Sequence, residues 1–481
     1  VIPGFLLILL GGINGPFHSA LVSVLAKRDK SEAAPLVETI TTLVSVFLLL
    51  ITVIIIIFAG IFIDILAPGL DQQARIIAVQ QLQIMAPLAL LAGLIGIGFG
   101  TLNAADQYWL PSISPLFSSL AIVIGVAVFA WQVGDNLNHP QYFQLGGMVL
   151  AGGTLAGGIL QWVAQLIAQS KAGMGKLRLR FNWRVPGVMD VIKVMGPATL
   201  SSGMLHINVY TDLFFASFIE NAAAAMRYGN FIVLTPLGII SNMILVPFLP
   251  VFSRLTTPEN WPELKLRIRQ GLFLTALTML PLTAIFIALA TPIIQVIYQR
   301  GAFKSADSAI VVPVLIAYGV GMFFYLGRDI LVRVFYALGD GETPFRVSIF
   351  NIFLNGLLDF LFYKPFGTPG LVFATIGVNI VSMITFLLIL NRRLQGLPLK
   401  EWAIHLLSLT GISIIAGLAS WSVSQGWQQI LGNNNLFLQL LQLVLGIATA
   451  FGIFIVLAIQ LKLPEVDLLL TRILQKFKKA R

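Results

Sequence analysis

Stretches of apolar residues long enough to cross a lipid bilayer recur throughout this chain, and no other feature limits its fold as tightly. Leu43 to Leu66 is one such run, and over its 24 positions the only ionisable residue is Asp64. In hydrocarbon every backbone N–H and C=O must be satisfied within the protein, so only α-helices and closed β-barrels cross membranes. A barrel strand alternates apolar and polar positions; this run does not, so it reads as helix. At roughly 20 apolar residues per span, thirteen segments emerge: Pro3 to Ala26, Leu36 to Ala67, Ile77 to Ala104, Pro111 to Val133, Phe143 to Gln169, Val191 to Ile219, Ala222 to Phe252, Leu272 to Tyr298, Ile310 to Leu338, Phe345 to Tyr363, Leu371 to Leu390, Trp402 to Val423, and Leu436 to Ile459. Composition agrees, because 481 residues that are 57% hydrophobic and 10% charged have too little polar surface to cover a soluble globule. The fold class is all-α, polytopic and membrane-embedded.

The loops give the orientation. Taking alternate connections as one side, 23 of the 30 Lys and Arg residues fall on one set and 5 on the other, with Arg328 and Arg333 inside a span. Cytoplasmic loops are the ones enriched in Lys and Arg, so the rich set and the C-terminus are expected inside. The formal net charge of +10 is used up in this asymmetry; with no soluble basic domain, no nucleic-acid partner is expected. The chain opens on Val1-Ile2-Pro3, already apolar, so an upstream segment is expected, and one leading helix would make fourteen spans. The tail 463–481 sets Leu468, Leu469, Ile473 and Phe477 at helical spacing beside Arg472, Lys476, Lys478 and Lys479, the pattern of a basic amphipathic segment lying on an anionic membrane surface.

Ionisable groups at membrane depth are costly and mark candidate sites. Arg328 and Arg333 come first, because a guanidinium binds phosphate bidentately and a phosphate-bearing substrate suits them. A structural pairing with Asp329 or Asp359 accounts for them equally well. Asn14 and His18 lie late in the first span, His206, Asn208 and Asp212 in the sixth, and Asn355 with Asp359 in the tenth. Asp212, Asp329 and Asp359 are candidate relay or coupling groups; the competing reading of each is polar packing. Gly93, Gly96, Gly98 and Gly100 in the third span read as hinges or as packing notches.

Enzyme chemistry is not expected. There is no metal-spaced cluster of His, Asp or Glu and no nucleotide-binding glycine loop, and without cysteine there is no thiol nucleophile or thiolate metal site. No cofactor and no metal is implied. A transporter built this way is driven by an ion gradient, the membrane potential or the substrate gradient.

One ordered series is more specific: Tyr298-Gln299-Arg300-Gly301-Ala302-Phe303 and Asp307, then Ala317-Tyr318-Gly319-Val320-Gly321, then Arg333-Val334-Phe335-Tyr336-Ala337-Leu338-Gly339-Asp340 and Thr343-Pro344. Gly15-Pro16-Phe17, Leu102-Asn103-Ala104, Met195-Gly196-Pro197-Ala198 and Pro236-Leu237-Gly238 accompany it. This series resembles the MurJ (MviN) family of lipid II flippases, within the multidrug/oligosaccharidyl-lipid/polysaccharide exporter superfamily.

The resemblance implies an N-terminal lobe over 1–170 holding the family's second to sixth helices, a C-terminal lobe over 171–400, and two extra helices over 401–462 that form a groove for a polyprenyl tail. It implies lipid II, or a related polyprenyl-pyrophosphate-linked saccharide, as substrate, with membrane lipids and cell-wall synthesis enzymes as partners in a bacterial cytoplasmic (inner) membrane. Two departures stand out. Family members carry an arginine in the second helix, where Leu9 or Leu10 stands here, and an arginine with a nearby acid early in the eighth, where Phe231 and Leu234 stand. Arg227 and Asn230 are the polar groups nearest that second position and join the candidate substrate contacts. The alternative is a cation-coupled exporter of drugs or polysaccharides from the same superfamily.

Overall fold

The computed structural model describes residues 16–25, 30–134, 136, 139–193, 195, 199, 207–432, 435–462 and 464–466. Asn14, His206, Gly15 and the amphipathic part of the tail lie outside the described residues. The chain divides into two compact units, Val1–Phe214 and Phe215–Arg481.

The first unit holds α1 (Pro16–Leu25), α2 (Lys30–Ile57), α3 (Ala59–Leu66), α4 (Gln72–Met85), α5 (Leu88–Ala104), α6 (Trp109–Ile113), α7 (Pro115–Val133), α8 (Phe143–Lys171) and most of α9 (Ile207–Ala216). Its centre is α5, buried from Leu91 through Leu102 and packed on α1, α2 and α8. The α7–α8 crossing depends on a Gly153-x-x-x-Gly157 step. A Cβ on Gly157 would stand 2.5 Å from Ser118 Cα, and one on Gly153 would stand 3.2 Å from Ile122 Cα. Small residues four apart let two backbones approach where lipid offers no hydrophobic drive for association. Most of the rest of α7 is apolar and exposed, with Val123 63% and Trp131 85% exposed, the inverse of a water-soluble helix.

The second unit holds α10 (Ala222–Ser253), α11 (Trp261–Ala288), α12 (Ala290–Tyr298), α13 (Ser305–Ala337), α14 (Glu342–Arg393), α15 (Leu399–Leu431) and α16 (Leu436–Gln460). Its core is the packing of α11 on α13 and α15, around Phe273, Leu315 and Phe335. At 52 residues α14 is about 78 Å of helix, far more than one crossing of a roughly 30 Å core. It folds back at Gly367, whose φ of 60° and ψ of −141° leave the helical region. The side chains of Asn351 and Ser382, 16 residues before and 15 after that turn, come within 2.9 Å of each other.

The helices fall on the apolar runs read from the sequence. Among the described residues nine are long and apolar enough to cross a membrane, and the α4–α5 pair, bent by 41°, makes a tenth. The first and sixth runs are described only in part. Several runs are two helices rather than one, broken at Phe58, Ala86-Pro87, Ser114 and Leu289. The chain is therefore a multi-pass α-helical membrane protein. Three of the four glycines of the third run stand at packing positions: a Cβ on Gly93 would meet Leu48, one on Gly98 would meet Gln165, and one on Gly100 would meet Leu21 and His18. The bend of that run sits instead at Pro87, whose missing N–H and rigid ring break the helical ladder.

Candidate functional site

Within the second unit, α13 carries Arg328, Asp329 and Arg333. Arg328 Nη1 lies 3.8 Å from Asp329 Oδ1 and donates to Asn379 Oδ1 on the returning limb of α14 at 3.5 Å. Asn379 is held in turn by its own donation to Thr375 O at 2.9 Å. Arg328 Nε is buried without a hydrogen-bond partner. Arg333 stands half-buried on the same helix, four residues beyond Asp329. Asp359 is buried on the outgoing limb of α14 and accepts from Asn355 Nδ2 at 2.6 Å. The antiparallel register about Gly367 brings Asn355 and Asp359 opposite the stretch from Thr375 to Asn379. The structure thus joins Arg328 to Asp329 and, across to the returning limb of α14, to Asn379, and joins Asp359 to Asn355 on the outgoing limb, with Asp329 rather than Asp359 as the acid beside Arg328.

The same unit holds an apolar groove of about 990 Å³. Its walls come from α11, α13, α14 and α15, with Ala284, Phe324, Met383, Thr410 and Trp421 among the lining residues. Arg328 follows the lining residue Phe324 by one turn of α13, and its partner Asn379 adjoins Ile380, another lining residue; the groove is lined by these neighbours and not by Arg328 or Asn379 themselves. A smaller groove of about 390 Å³ lies between α10, α11 and α16.

Arg227 is exposed and Asn230 half-buried near the start of α10. Gly229, between them, packs on Val314 and Tyr318. From Leu315 to Arg328 is about 20 Å along the helix, so Arg227 and Asn230 are not gathered with the arginines of α13. Asp212 is half-buried on α9.

In the first unit His18 Nε2 lies 2.8 Å from Asn103 Nδ2, a contact made possible by the close α1–α5 approach at Gly100. The Asn103 amide nitrogen donates and the imidazole accepts, which puts the ring proton on Nδ1; that atom is buried without a partner among the described residues. Sequence reading missed the amide stripe Gln161, Gln165 and Gln169 on α8, whose side chains are all buried. Gln161 and Gln165 donate to Ser114 Oγ at 3.3 and 3.1 Å. Three glutamines at every fourth position inside a span were the available signal. Asn379 gave none, because its role depends on a partner 51 residues away.

The ordered motifs have local structural roles. Asp307 caps α13 by accepting from Lys304 N at 2.7 Å, and Tyr228, Tyr298 and Phe303 form an aromatic cluster with ring centroids 4.9 to 5.7 Å apart. Asp340 accepts from Thr343 N at 2.9 Å, Thr343 Oγ1 at 2.8 Å and Arg393 Nη1 at 2.6 Å, fastening the α13–α14 turn to the far end of α14. Burial pushes the Asp340 carboxyl up, but the two Thr343 bonds and Arg393 outweigh it and hold it below the ordinary aspartate value.

Residues 1–442 match the family model described as "Lipid II flippase MurJ". The chain belongs to the lipid II flippase MurJ family. A Synechocystis protein named "Probable lipid II flippase MurJ" is 66% identical over 479 residues, covering 100% of this chain and 90% of the relative. A Burkholderia cenocepacia protein named "Lipid II flippase MurJ" is 28% identical over 426 residues, covering 85% of this chain and 79% of the relative. The solved structure of a lipid II flippase MurJ in an inward closed conformation superposes with a TM-score of 0.73 at 21% identity, over 96% of this chain and 91% of that one. An inward-facing multidrug MATE transporter reaches 0.62 at 17% identity, over 82% and 88%. These two likenesses concern the fold. The ordered series from Tyr298 to Pro344 is thus, in structure, two helix connections and the helix between them.

Proposed function

We propose that this chain is a lipid II flippase, moving lipid II or a closely related polyprenyl-pyrophosphate-linked saccharide from the cytoplasmic to the outer leaflet of a bacterial inner membrane by alternating access. The observation that carries the reading is an apolar groove whose α13 wall ends one turn before Arg328, in a chain 66% identical along its length to a relative of that name. The substrate is amphipathic in the same way, with a long hydrocarbon tail and a doubly charged pyrophosphate.

In this reading the groove takes the polyprenyl tail, which gains nothing from water and loses little on leaving lipid. Arg328 and Arg333 take the pyrophosphate, since a guanidinium carries fixed charge at any accessible pH and presents a planar fork of donors. The low dielectric of the span strengthens that attraction. His18, Asn14, Arg227 and Asn230 serve the headgroup at other depths. Asp359, Asp329 and Asp212 are the groups for coupling to an ion gradient or the membrane potential, because carboxylates at membrane depth respond to protons and cations. The lobes 1–170 and 171–400 are the moving parts, helices 401–462 flank the tail groove, and the Lys- and Arg-rich loops and C-terminus are cytoplasmic. Enzymes of cell-wall synthesis are the partners on either side of the step.

The test is complementation. The full-length gene, expressed in a strain depleted of its own flippase, restores growth and rod or coccal shape; a protein that inserts at normal level yet leaves the cells lysing contradicts the proposal.

A further inference from the structure

We propose that residues 176–184 form a strap that seats on the anionic inner surface of the bilayer, with phospholipid headgroups as its partner. The side of the membrane rests on the orientation given above; the lipid contact rests on the strap itself.

Between the end of α8 and the helical turn that resumes at Val188, the chain runs Lys176-Leu177-Arg178-Leu179-Arg180-Phe181-Asn182-Trp183-Arg184. Apolar and polar residues alternate strictly, in backbone that is not helical, so each kind recurs with the period of an extended chain. The apolar members are large and open: Leu177 is 64% exposed, Leu179 83%, Phe181 61% and Trp183 62%. A single exposed leucine needs no explanation, but four large apolar side chains within nine residues mark a surface for a partner. From Lys171 to Arg184 there are five basic residues and no acid.

The strap is pinned at a definite depth. Lys176 N donates to Glu38 Oε1 at 3.1 Å, Arg180 N to Thr42 Oγ1 at 3.0 Å, and Thr42 Oγ1 to Arg178 O at 3.3 Å. Arg180 Nε also pairs with the buried Glu38 carboxylate at 3.4 Å. Glu38 and Thr42 are one turn apart on α2 and directly precede the apolar run that starts at Leu43 and continues, past the break at Phe58, through α3 to Leu66, its 24 residues enough for the hydrocarbon core. The anchors therefore lie at the headgroup layer. There Trp and Phe sit favourably, and Lys and Arg gain from anionic lipid. One cation, Arg180, is spent on Glu38; Lys176, Arg178 and Arg184 are exposed.

These 481 residues contain no cysteine, so Leu179→Cys creates a single labelling site within them, at an exposed position. Full-length protein carrying an environment-sensitive fluorophore there is placed in nanodiscs of phosphatidylcholine, or of an equal mixture with phosphatidylglycerol. Quenching by lipids spin-labelled near the headgroup is expected to be several-fold stronger in the mixed discs. Arg178→Gln with Arg184→Gln is expected to abolish the difference, and a label at Trp183→Cys to repeat the result. Equal quenching in both discs, a label open to aqueous iodide in both, or a label shielded from both quenchers as by a covering protein surface would each overturn the proposal. Because the discs present the same lipids on both faces, this readout is independent of orientation. Reaction of the same cysteine with an impermeant thiol reagent in inside-out vesicles supports the inner side; reaction only in right-side-out vesicles overturns the orientation while the lipid contact stands.

Discussion

Arg328 and Asp329 are neighbours in sequence, yet their charged groups stand 3.8 Å apart. That is a loose pair, and the hydrogen bond from the guanidinium to Asn379 is long at 3.5 Å, with Nε left unpartnered among the described residues. A tightly neutralised arginine would use its fork on the carboxylate bidentately. This one keeps donor capacity for an incoming anion. Arg328→Ala is expected to reduce lipid II exposure at the outer face by about ten- to a hundredfold, from the roughly 1.5–3 kcal/mol of a charged hydrogen bond, with unchanged protein level. Arg328→Lys retains the charge without the fork and is expected to fall between. Outer-face exposure equal to wild type in both variants removes Arg328 from the site.

The groove makes a separate prediction. Thr410 is exposed and lines it, so Thr410→Trp adds bulk to the tail path without crowding a packed core. Lipid II exposure is expected to drop severalfold while the thermal melting of purified protein stays within error. A melting loss of the same rank would mean the residue supports the fold instead.

Gly157 tests the fold. Its Cβ would press on the Ser118 backbone, which cannot rotate away as a side chain can. Gly157→Ala is expected to cost about 1–3 kcal/mol through forced separation of α7 and α8, read as a fall in melting temperature in detergent; Gly152→Ala, with open space around it, is the control expected to show none.

Asp340 carries a pH dependence. Its carboxyl is held below the ordinary aspartate value, so the folded state binds its proton more weakly than the unfolded one. The stabilisation is complete above the unfolded value, near 4, and fades as pH falls through the lower folded value. Wild type is therefore expected to melt above Asp340→Asn by a constant margin from about pH 5 upward, narrowing below about pH 4. A margin that widened in acid would contradict the Thr343 and Arg393 clamp.

Much of this architecture is legible in the sequence because the bilayer permits so few solutions. A run such as Leu43 to Leu66 has to be helix, and the uneven loops orient it. The breaks were not legible, since Phe58 and Leu289 interrupt apolar runs without any change of composition. Nor was the groove, whose walls come from four helices spread over Leu280 to Trp421. The candidate arginines stood out because charge at membrane depth is rare. Their partner Asn379 did not, because an asparagine inside a span gains meaning only from what lies across from it. The glycines of α5 read equally as hinge and notch until their neighbours Leu48, Gln165 and Leu21 were in place.

The most direct measurement follows lipid II itself. In cells depleted of their own flippase and expressing this chain, lipid II reachable by an impermeant probe at the outer surface is expected to return to the undepleted level, and to be lost again with Arg328→Ala and Arg333→Ala together at equal protein abundance. Lipid II that stays inside while the protein is correctly inserted, or full outer exposure in the double variant, would contradict a flippase working through these two arginines.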